Sequence, residues 1–386
     1  MKRSENSLVY YVTAHGYGHG SRSCDILQDL QRLRPDIPIT IVSELAEKFF
    51  FDRLGEGRIR WRPGRFDVGL VQRDSIRADV DATLEPWGKL LAQRSRLVDE
   101  EARFLDLTRA ALVVADIPAL PLEAAAQVGI PSIAIGNFGW DWIYSAYRGR
   151  HQDWDSVITS IEDGYRKADL LLRLPFSEPM SIFDRQVCIP LVSEPGRKRR
   201  DWIARTSGAD PTKTWYLLSF STLEFDTGAV RKMSEIHDVE FITVLPLSWD
   251  APNFHELDNA QIRFPDIVAS CDAVISKPGF GILSECVVNR KPIIYVERTD
   301  FLEYDVLEKG IKETLQHVHL PAERLYKGEM RKALDQLLDA PQPRHLLEGG
   351  GAAKASRILA DYWELGLKLP DRRKVAGWLP PPIGSS

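Results

Sequence analysis

Four cysteines in 386 residues, at positions 24, 188, 271 and 286, are too few and too scattered to scaffold a fold. None forms a Cys-x-x-Cys pair, which argues against both a structural zinc site and a disulfide framework. No run of about 20 apolar residues occurs, so no segment reads as membrane-spanning. Met1 to Ser7 lacks the apolar core and small-residue cleavage site of a secretory leader, which predicts a cytoplasmic protein. An excess of positive charge is also missing. The formal net charge is −5, so nucleic acid is not an expected partner. No short repeat occurs, which excludes a solenoid.

What is present is an alternation of short apolar runs and helix-like segments. Leu8 to Ala14, Ile37 to Ser43, Ala110 to Asp116, Pro131 to Gly136 and Ala168 to Leu174 read as buried strands. Ile26, Leu27, Leu30 and Leu33 follow helical spacing up to Pro35, and Leu120 to Val128 reads as a helix. The pattern restarts after Pro195 and Gly196 and the basic run Lys198 to Arg200. Strands are expected at Thr214 to Phe220, Val239 to Leu245, Asp272 to Ser276 and Pro292 to Val296, with helices at Ile282 to Asn289 and Met330 to Leu338. This βαβ repetition predicts an α/β protein of two Rossmann-like domains with parallel sheets. The expected domains are 1–194 and 195–350. A helix at 351–370, stopped by Gly366, packs back on the first domain, and a Pro-rich tail at 371–386 follows.

Two glycine loops follow strands. The first, His15-Gly16-Tyr17-Gly18-His19-Gly20-Ser21-Arg22, lets backbone approach a ligand, with Ser21 as a cap for the next helix. Its spacing departs from the Gly-x-Gly-x-x-Gly dinucleotide fingerprint, and no acidic residue ends the second strand as NAD binding requires. Histidine is the side chain best suited to take a proton near neutral pH, and Asp116 ends a strand in the same sheet. That carboxylate can orient the imidazole or merely cap the next helix. The second loop, Lys277-Pro278-Gly279-Phe280-Gly281, opens a helix carrying Ser284 and Glu285. Backbone N–H groups and Lys277 can cradle a pyrophosphate, and Glu285 can accept hydrogen bonds from ribose hydroxyls. Ser221 and Thr222 offer further donors to the same phosphates. Glu297, Asp300, Glu303 and Asp305 form an acidic cluster suited to sugar hydroxyls or to plain solvation.

The second loop resembles the donor motif of inverting UDP-glycosyltransferases, with Lys277 where that family carries histidine and with Gly279, Phe280 and Glu285 matching in place. Phe264 to Val268, which includes Ile267, is similar to their base-contacting segment. The first loop resembles their N-terminal loop, Gly18 included. That resemblance implies His19 as the catalytic base and Asp116 as its partner. Their Asp-Gln sugar pair is absent as such, and Glu303 is its nearest counterpart. A fuller likeness, over nearly the whole chain, is to the glycosyltransferase-like N-terminal region of plant L-arabinokinase. It rests on Tyr11 to His19, Val114-x-Asp116 and Asn137-Phe138-x-Trp140-Asp141-x-Ile143-Tyr144. No kinase phosphate loop accompanies it, so kinase activity is not implied.

These resemblances imply a GT-B fold, two Rossmann-like domains facing across a cleft. They imply a nucleotide-sugar donor, by family default a UDP-sugar, on the second domain. A hydroxyl acceptor is expected near His15, Asn137, Trp140 and Asp141, with neither cofactor nor metal required. Asp79-Val80-Asp81 and Asp153-Trp154-Asp155 read as helical surface, not metal sites. Phe138, Trp140, Trp142, Tyr144 and Tyr147 either stack on an acceptor or pack inside the domain. Phe49 to Phe51 with Arg53, Arg58, Arg60 and Arg62 reads more readily as a buried helix end than as a membrane contact. A nucleotide-sugar epimerase and a non-catalytic sugar-nucleotide binder are the rival functions on this fold.

Overall fold

In the computed structural model, which describes residues 6–72, 78–220, 222–299 and 301–368, the apolar run after Asn6 forms strand β1 (Ser7–Val12). All six of its residues are buried, as a strand covered on both faces requires. Helix α1 (Tyr17–Leu33), β2 (Ile39–Val42), β3 (Ile59–Arg62), β4 (Ala110–Asp116), β5 (Ser132–Gly136), helix α2 (Trp140–Ser145), β6 (Leu170–Arg173) and β7 (Gln186–Cys188) follow among the connecting helices. They form a parallel sheet in the order β3-β2-β1-β4-β5-β6-β7. The order reverses between β1 and β4. Such a switch point opens a crevice beyond the carboxyl ends of the strands, where open α/β sheets bind ligands.

The edge strands β3 and β7 carry no long apolar run and were not expected. Ile59-Arg60-Trp61-Arg62 is only partly buried, and Arg62 donates to the buried Glu101 and lies over Phe104. Phe50 is fully buried in the core. The Phe49–Arg62 stretch is therefore a helix end and an edge strand whose rings point inward. Asp79 ends a two-residue strand rather than lying on a helix, whereas Asp81, Asp153 and Asp155 sit in first helical turns as expected.

The second unit repeats the scheme with β8 (Thr214–Ser219), β9 (Val239–Val244), β10 (Phe254–Leu257), helix α3 (Phe264–Ser270), β11 (Ala273–Ser276), helix α4 (Phe280–Val288), β12 (Ile293–Tyr295), helix α5 (Tyr304–Thr314) and β13 (His317–His319). Its parallel sheet runs β10-β9-β8-β11-β12-β13, with the switch between β8 and β11. The segment after Ser193 is tied into this unit. Arg197 N–H donates to Asp266 Oδ1 at 3.0 Å and Arg199 N–H to Ser270 Oγ at 2.7 Å.

Chain contacts divide the protein into Met1–Leu70, Val80–Val192 and Gly350–Ser386 in one unit, and Val71–Asp79 with Ser193–Gly349 in the other. The return is made by helix α6 (Gly351–Lys368), whose Ala355, Leu359 and Trp363 enter the first unit's core. Gly366 does not stop this helix. It is buried within it, and a Cβ there would lie 1.8 Å from the Ala111 carbonyl oxygen, so glycine is what lets the helix close on β4. The Pro-rich tail lies outside the described residues. Among the described residues no helix is long and apolar enough to cross a membrane.

Candidate active site

The first switch point brings Val12 and Asp116 side by side in register. Helix α1 starts sooner than expected, at Tyr17 with Gly16 as its N-cap, so His19 stands in its first turn and Ser21 is inside it rather than capping it. The glycines make room rather than a turn. None of the three has a left-handed backbone. Gly16 and Gly18 have nothing within 4 Å of where a Cβ would sit, which leaves the helix start open to a ligand, while a Cβ on Gly20 would meet Phe49 at 2.6 Å.

His19 Nδ1 lies 2.8 Å from Asp116 Oδ1, and both side chains are buried. One turn on, Arg22 forks onto the same carboxylate, Nε 2.6 Å from Oδ2 and Nη2 2.5 Å from Oδ1. Its Nη2 also lies 2.9 Å from His19 Nδ1, and its Nη1 donates to Asn137 Oδ1. Asn137 is held in turn by donation to the Pro175 carbonyl at 2.6 Å, and Ser23 Oγ donates to Asp116 Oδ2 at 3.2 Å. Burial opposes charge on Asp116, but the Arg22 guanidinium and the His19 ring outweigh it and hold the carboxyl at about 2. Burial first, then Arg22, pushes the imidazole below its ordinary value, against the pull of Asp116. A ring so shifted is neutral near pH 7, with Nδ1 turned to Asp116 and Arg22 and Nε2 on the side of the ring away from them.

Around this dyad the other expected acceptor residues fall into two kinds. His15 is half-buried, its ring edge-on to Trp140 at 5.1 Å. Asp141 is also half-buried, its carboxyl raised to about 6 by burial, and its buried Oδ1 has no hydrogen-bond partner among the described residues. Asn137 and Trp140 lie behind the surface, both buried. Trp140 donates its indole N–H to Asp67 Oδ2 at 2.9 Å and stacks on Tyr144, and Tyr144 stacks on Trp154. The aromatic cluster thus packs internally. Asp67, which also accepts from Thr13 Oγ1 at 3.0 Å, joins β1's carboxyl end to this cluster. Burial raises its carboxyl to about 6.

At the second switch point Ser219 and Ser276 are in register, and Ser276 Oγ donates to the Ser219 carbonyl at 2.6 Å. Lys277 follows, half-buried. Gly279 is the N-cap of α4 in extended conformation, with no side chain capping the helix. Gly281 and Thr222 are exposed, and Phe280 is half-buried. Ser221 and Asp300 lie outside the described residues. Ser284 Oγ donates back to the Phe280 carbonyl at 2.9 Å. Glu285 Oε1 accepts from Ser193 Oγ at 2.8 Å and Oε2 from Asn289 Nδ2 at 3.3 Å. The Ile267 side chain is wholly buried, so only the backbone of α3 can meet a ligand there.

Beyond β12 lies a pair of which the sequence named only one member. Arg298 Nη1 is 3.3 Å from Glu303 Oε1, with both side chains largely buried. Among the described residues Arg298 Nε and Glu303 Oε2 have no hydrogen-bond partner, and burial pushes the guanidinium down to about 10 and the carboxyl up. The Arg298 and Lys277 charges act on Glu303 in the opposite sense. By contrast Glu297 is occupied by His319 and the Ala322 N–H, and Asp305 is exposed. Among the described residues no group of three or more His, Cys, Asp or Glu is arranged to hold a metal ion.

No protein-family model matches the chain. Solved structures superpose over nearly all of it. The calicheamicin glycosyltransferase CalG4 has a TM-score of 0.59 at 14% identity, covering 97% of this chain and 100% of that one. UGT71G1 of Medicago truncatula, solved with UDP-glucose, has 0.61 at 12%, covering 94% and 100%. The spinosyn rhamnosyltransferase SpnG, solved with thymidine diphosphate, has 0.54 at 13%, covering 93% and 96%.

The fold is GT-B.

In sequence, this GT-B chain is 27% identical to L-arabinokinase of Arabidopsis thaliana over 372 residues, which is 92% of this chain and 34% of that protein. The resemblance read from Tyr11 to His19 is met. An uncharacterized glycosyltransferase of Methanopyrus kandleri is 28% identical over 105 residues, 26% of this chain and 30% of that one. The chain thus spans about a third of the length of the curated relatives it matches. Each GT-B unit has candidate site residues at the carboxyl ends of its strands: the dyad with Arg22 on the first, Lys277, the α4 start and the Arg298–Glu303 pair on the second.

Proposed function

We propose that this chain is an inverting glycosyltransferase acting in the cytoplasm, moving a sugar from a nucleoside-diphosphate donor, a UDP-sugar by family default, onto a hydroxyl acceptor without a metal. The observation that carries this reading is the buried His19–Asp116 dyad at the switch point of a GT-B unit. His19 Nε2 takes the acceptor's hydroxyl proton. The acceptor oxygen forms a bond to the anomeric carbon as the bond from that carbon to the β-phosphate oxygen breaks, and the diphosphate leaves with the electron pair. Asp116 holds the ring in the required tautomer.

On the donor side, Lys277 and the N–H groups at the start of α4 stabilise the departing diphosphate. That supplies the charge compensation a metal gives elsewhere. Glu285 accepts from the ribose hydroxyls, and the α3 backbone at Ile267 meets the base. Arg298 Nε–H and Glu303 Oε2, without partners among the described residues, are a donor and an acceptor for sugar hydroxyls. On the acceptor side His15 and Asp141 line the site, while Asn137 and Trp140 support it from behind. The nucleotides bound by the Medicago and spinosyn proteins support a nucleoside diphosphate as the leaving group.

The test is nucleotide release from a panel of UDP- and dTDP-sugars, with and without EDTA. Release from at least one donor, unchanged by EDTA, is expected. Isomerised donor with no transfer would replace this reading with an epimerase, and tight binding with no turnover across acceptors would leave a binder. Lys277→Met is expected to raise the donor KM about 10-fold or more, the worth of one charge-assisted contact. An unchanged KM would remove Lys277 from the donor site.

A further inference from the structure

We propose that Arg22 is a positioning residue for the base: its guanidinium fixes the Asp116 carboxylate in one plane and, lying against the His19 ring, opposes a second proton on that ring. The proposal rests on the reading of His19 as the base. Arg22 is one helical turn from His19, so α1 puts both side chains on one face. Its fork onto both carboxylate oxygens, at 2.6 and 2.5 Å, is the bidentate geometry that guanidinium alone provides. Its remaining nitrogen is anchored through Asn137 to the Pro175 carbonyl. The Arg22 side chain is 11% exposed and Asp116 is 0% exposed, so solvent does little to screen the pair.

The charge balance follows from that geometry. In an isolated His–Asp dyad the carboxylate stabilises the imidazolium. Here Asp116 Oδ1 already accepts from Arg22 Nη2, which itself lies 2.9 Å from His19 Nδ1. Arg22 and Asp116 cancel, so the neutral ring completes an uncharged set. A proton on Nε2 would leave a net positive charge out of water, facing a cation. The other groups packed here do not alter the count. Tyr10 on β1, beside Asp116, is a phenol held neutral by burial, Ser23 and Asn137 are uncharged, and Phe138 meets the His19 ring edge-on at 5.8 Å. His19 is thereby a weaker base that stays available in acid, a trade between strength and the fraction unprotonated.

The experiment is a pH titration of the His19 imidazole nitrogens by NMR on the full chain, in wild type, Arg22→Gln and Arg22→Lys. The wild-type midpoint is expected below 6.5, the ordinary histidine value. Arg22→Gln keeps hydrogen bonding without charge and is expected to raise the midpoint by about one unit or more, and Arg22→Lys to leave it near wild type. The acid limb of kcat/KM should move with the midpoint, which loss of packing alone would not produce. A midpoint unchanged in Arg22→Gln, or raised as far in Arg22→Lys as in Arg22→Gln, overturns the proposal. If Arg22→Gln does not fold, a wild-type midpoint at or above 6.5 overturns it alone. Because the titration needs no substrate, it stands apart from the transferase reading: absence of donor turnover would sink that reading and leave the Arg22 result to be judged on its own.

Discussion

Replacing His19 with alanine is expected to lower nucleotide release about 10²–10⁴-fold, the usual contribution of a positioned general base, while donor affinity changes less than about 2-fold. The two halves of this expectation have separate physical origins. Among the described residues of the first unit's site, the imidazole combines burial against Asp116, a lowered proton affinity and a second ring nitrogen facing away from that partner. Removing it leaves the Arg22 fork on Asp116 intact, so the buried carboxylate keeps its charge partner and the α1–β4 contact survives. The proposed nucleotide ligands, Lys277, Glu285 and the α4 start, belong to the second unit and owe nothing to His19. Isothermal titration with UDP alongside the turnover assay separates the two. Loss of both binding and turnover would make His19 a structural residue, and retention of turnover would leave the dyad without a chemical role.

Gly366→Ala is expected to destabilise the first unit by about 1–3 kcal/mol or more, read as a lower urea midpoint. The sign is the informative part. Alanine at an ordinary helix-interior glycine gains about 0.5–1 kcal/mol from propensity and lost backbone entropy. Here the added methyl would lie 1.8 Å from the Ala111 carbonyl oxygen, a backbone atom that cannot rotate away. Either α6 lifts off β4 or the strand shifts, and both uncover Leu359 and Trp363. Truncating Trp363 itself, 2% exposed and covered by the Arg34 guanidinium at 5.2 Å, is expected to cost about 3–5 kcal/mol. A stabilised Gly366→Ala protein would mean that this glycine is only a weak point in the helix, and that the close seating of α6 on β4 is wrong.

The sequence was most legible where burial is complete. Ala110 to Asp116 is one uninterrupted small and β-branched run because helices cover both faces of β4, and it reads as a strand without ambiguity. Ile59-Arg60-Trp61-Arg62, Gln186-Val187-Cys188 and His317-Val318-His319 sit at or near sheet edges, half-exposed, and carry no such run. The loop of His19 and the strand end at Asp116 could be placed at one sheet edge because strand ends and glycine loops announce themselves.

Arg22 stood at the end of the first loop without a role, although its spacing from His19 was on view. An arginine on a helix reads as solvated charge until a buried carboxylate is known to face it. Asp67 lies in a stretch without periodicity, and only the fold brings it under Trp140. Arg298 was hidden for the reason Glu303 was seen: the acidic cluster drew attention to carboxylates, and their buried partner lay among them. Gly366 misled because glycine near a helix end usually marks its stop, and the contact that explains it lies some 250 residues away in sequence.

The most direct test of the account is the anomeric configuration of the sugar at the moment it leaves. Proton NMR of a reaction begun with an α-linked donor, water or a simple alcohol serving as acceptor, resolves the first product before it mutarotates. An initial β-anomer, formed by wild type and lost with His19→Ala, is what a single displacement assisted by the His19–Asp116 dyad predicts. An initial α-anomer would mean retention, and the single-displacement mechanism built on this site would be wrong.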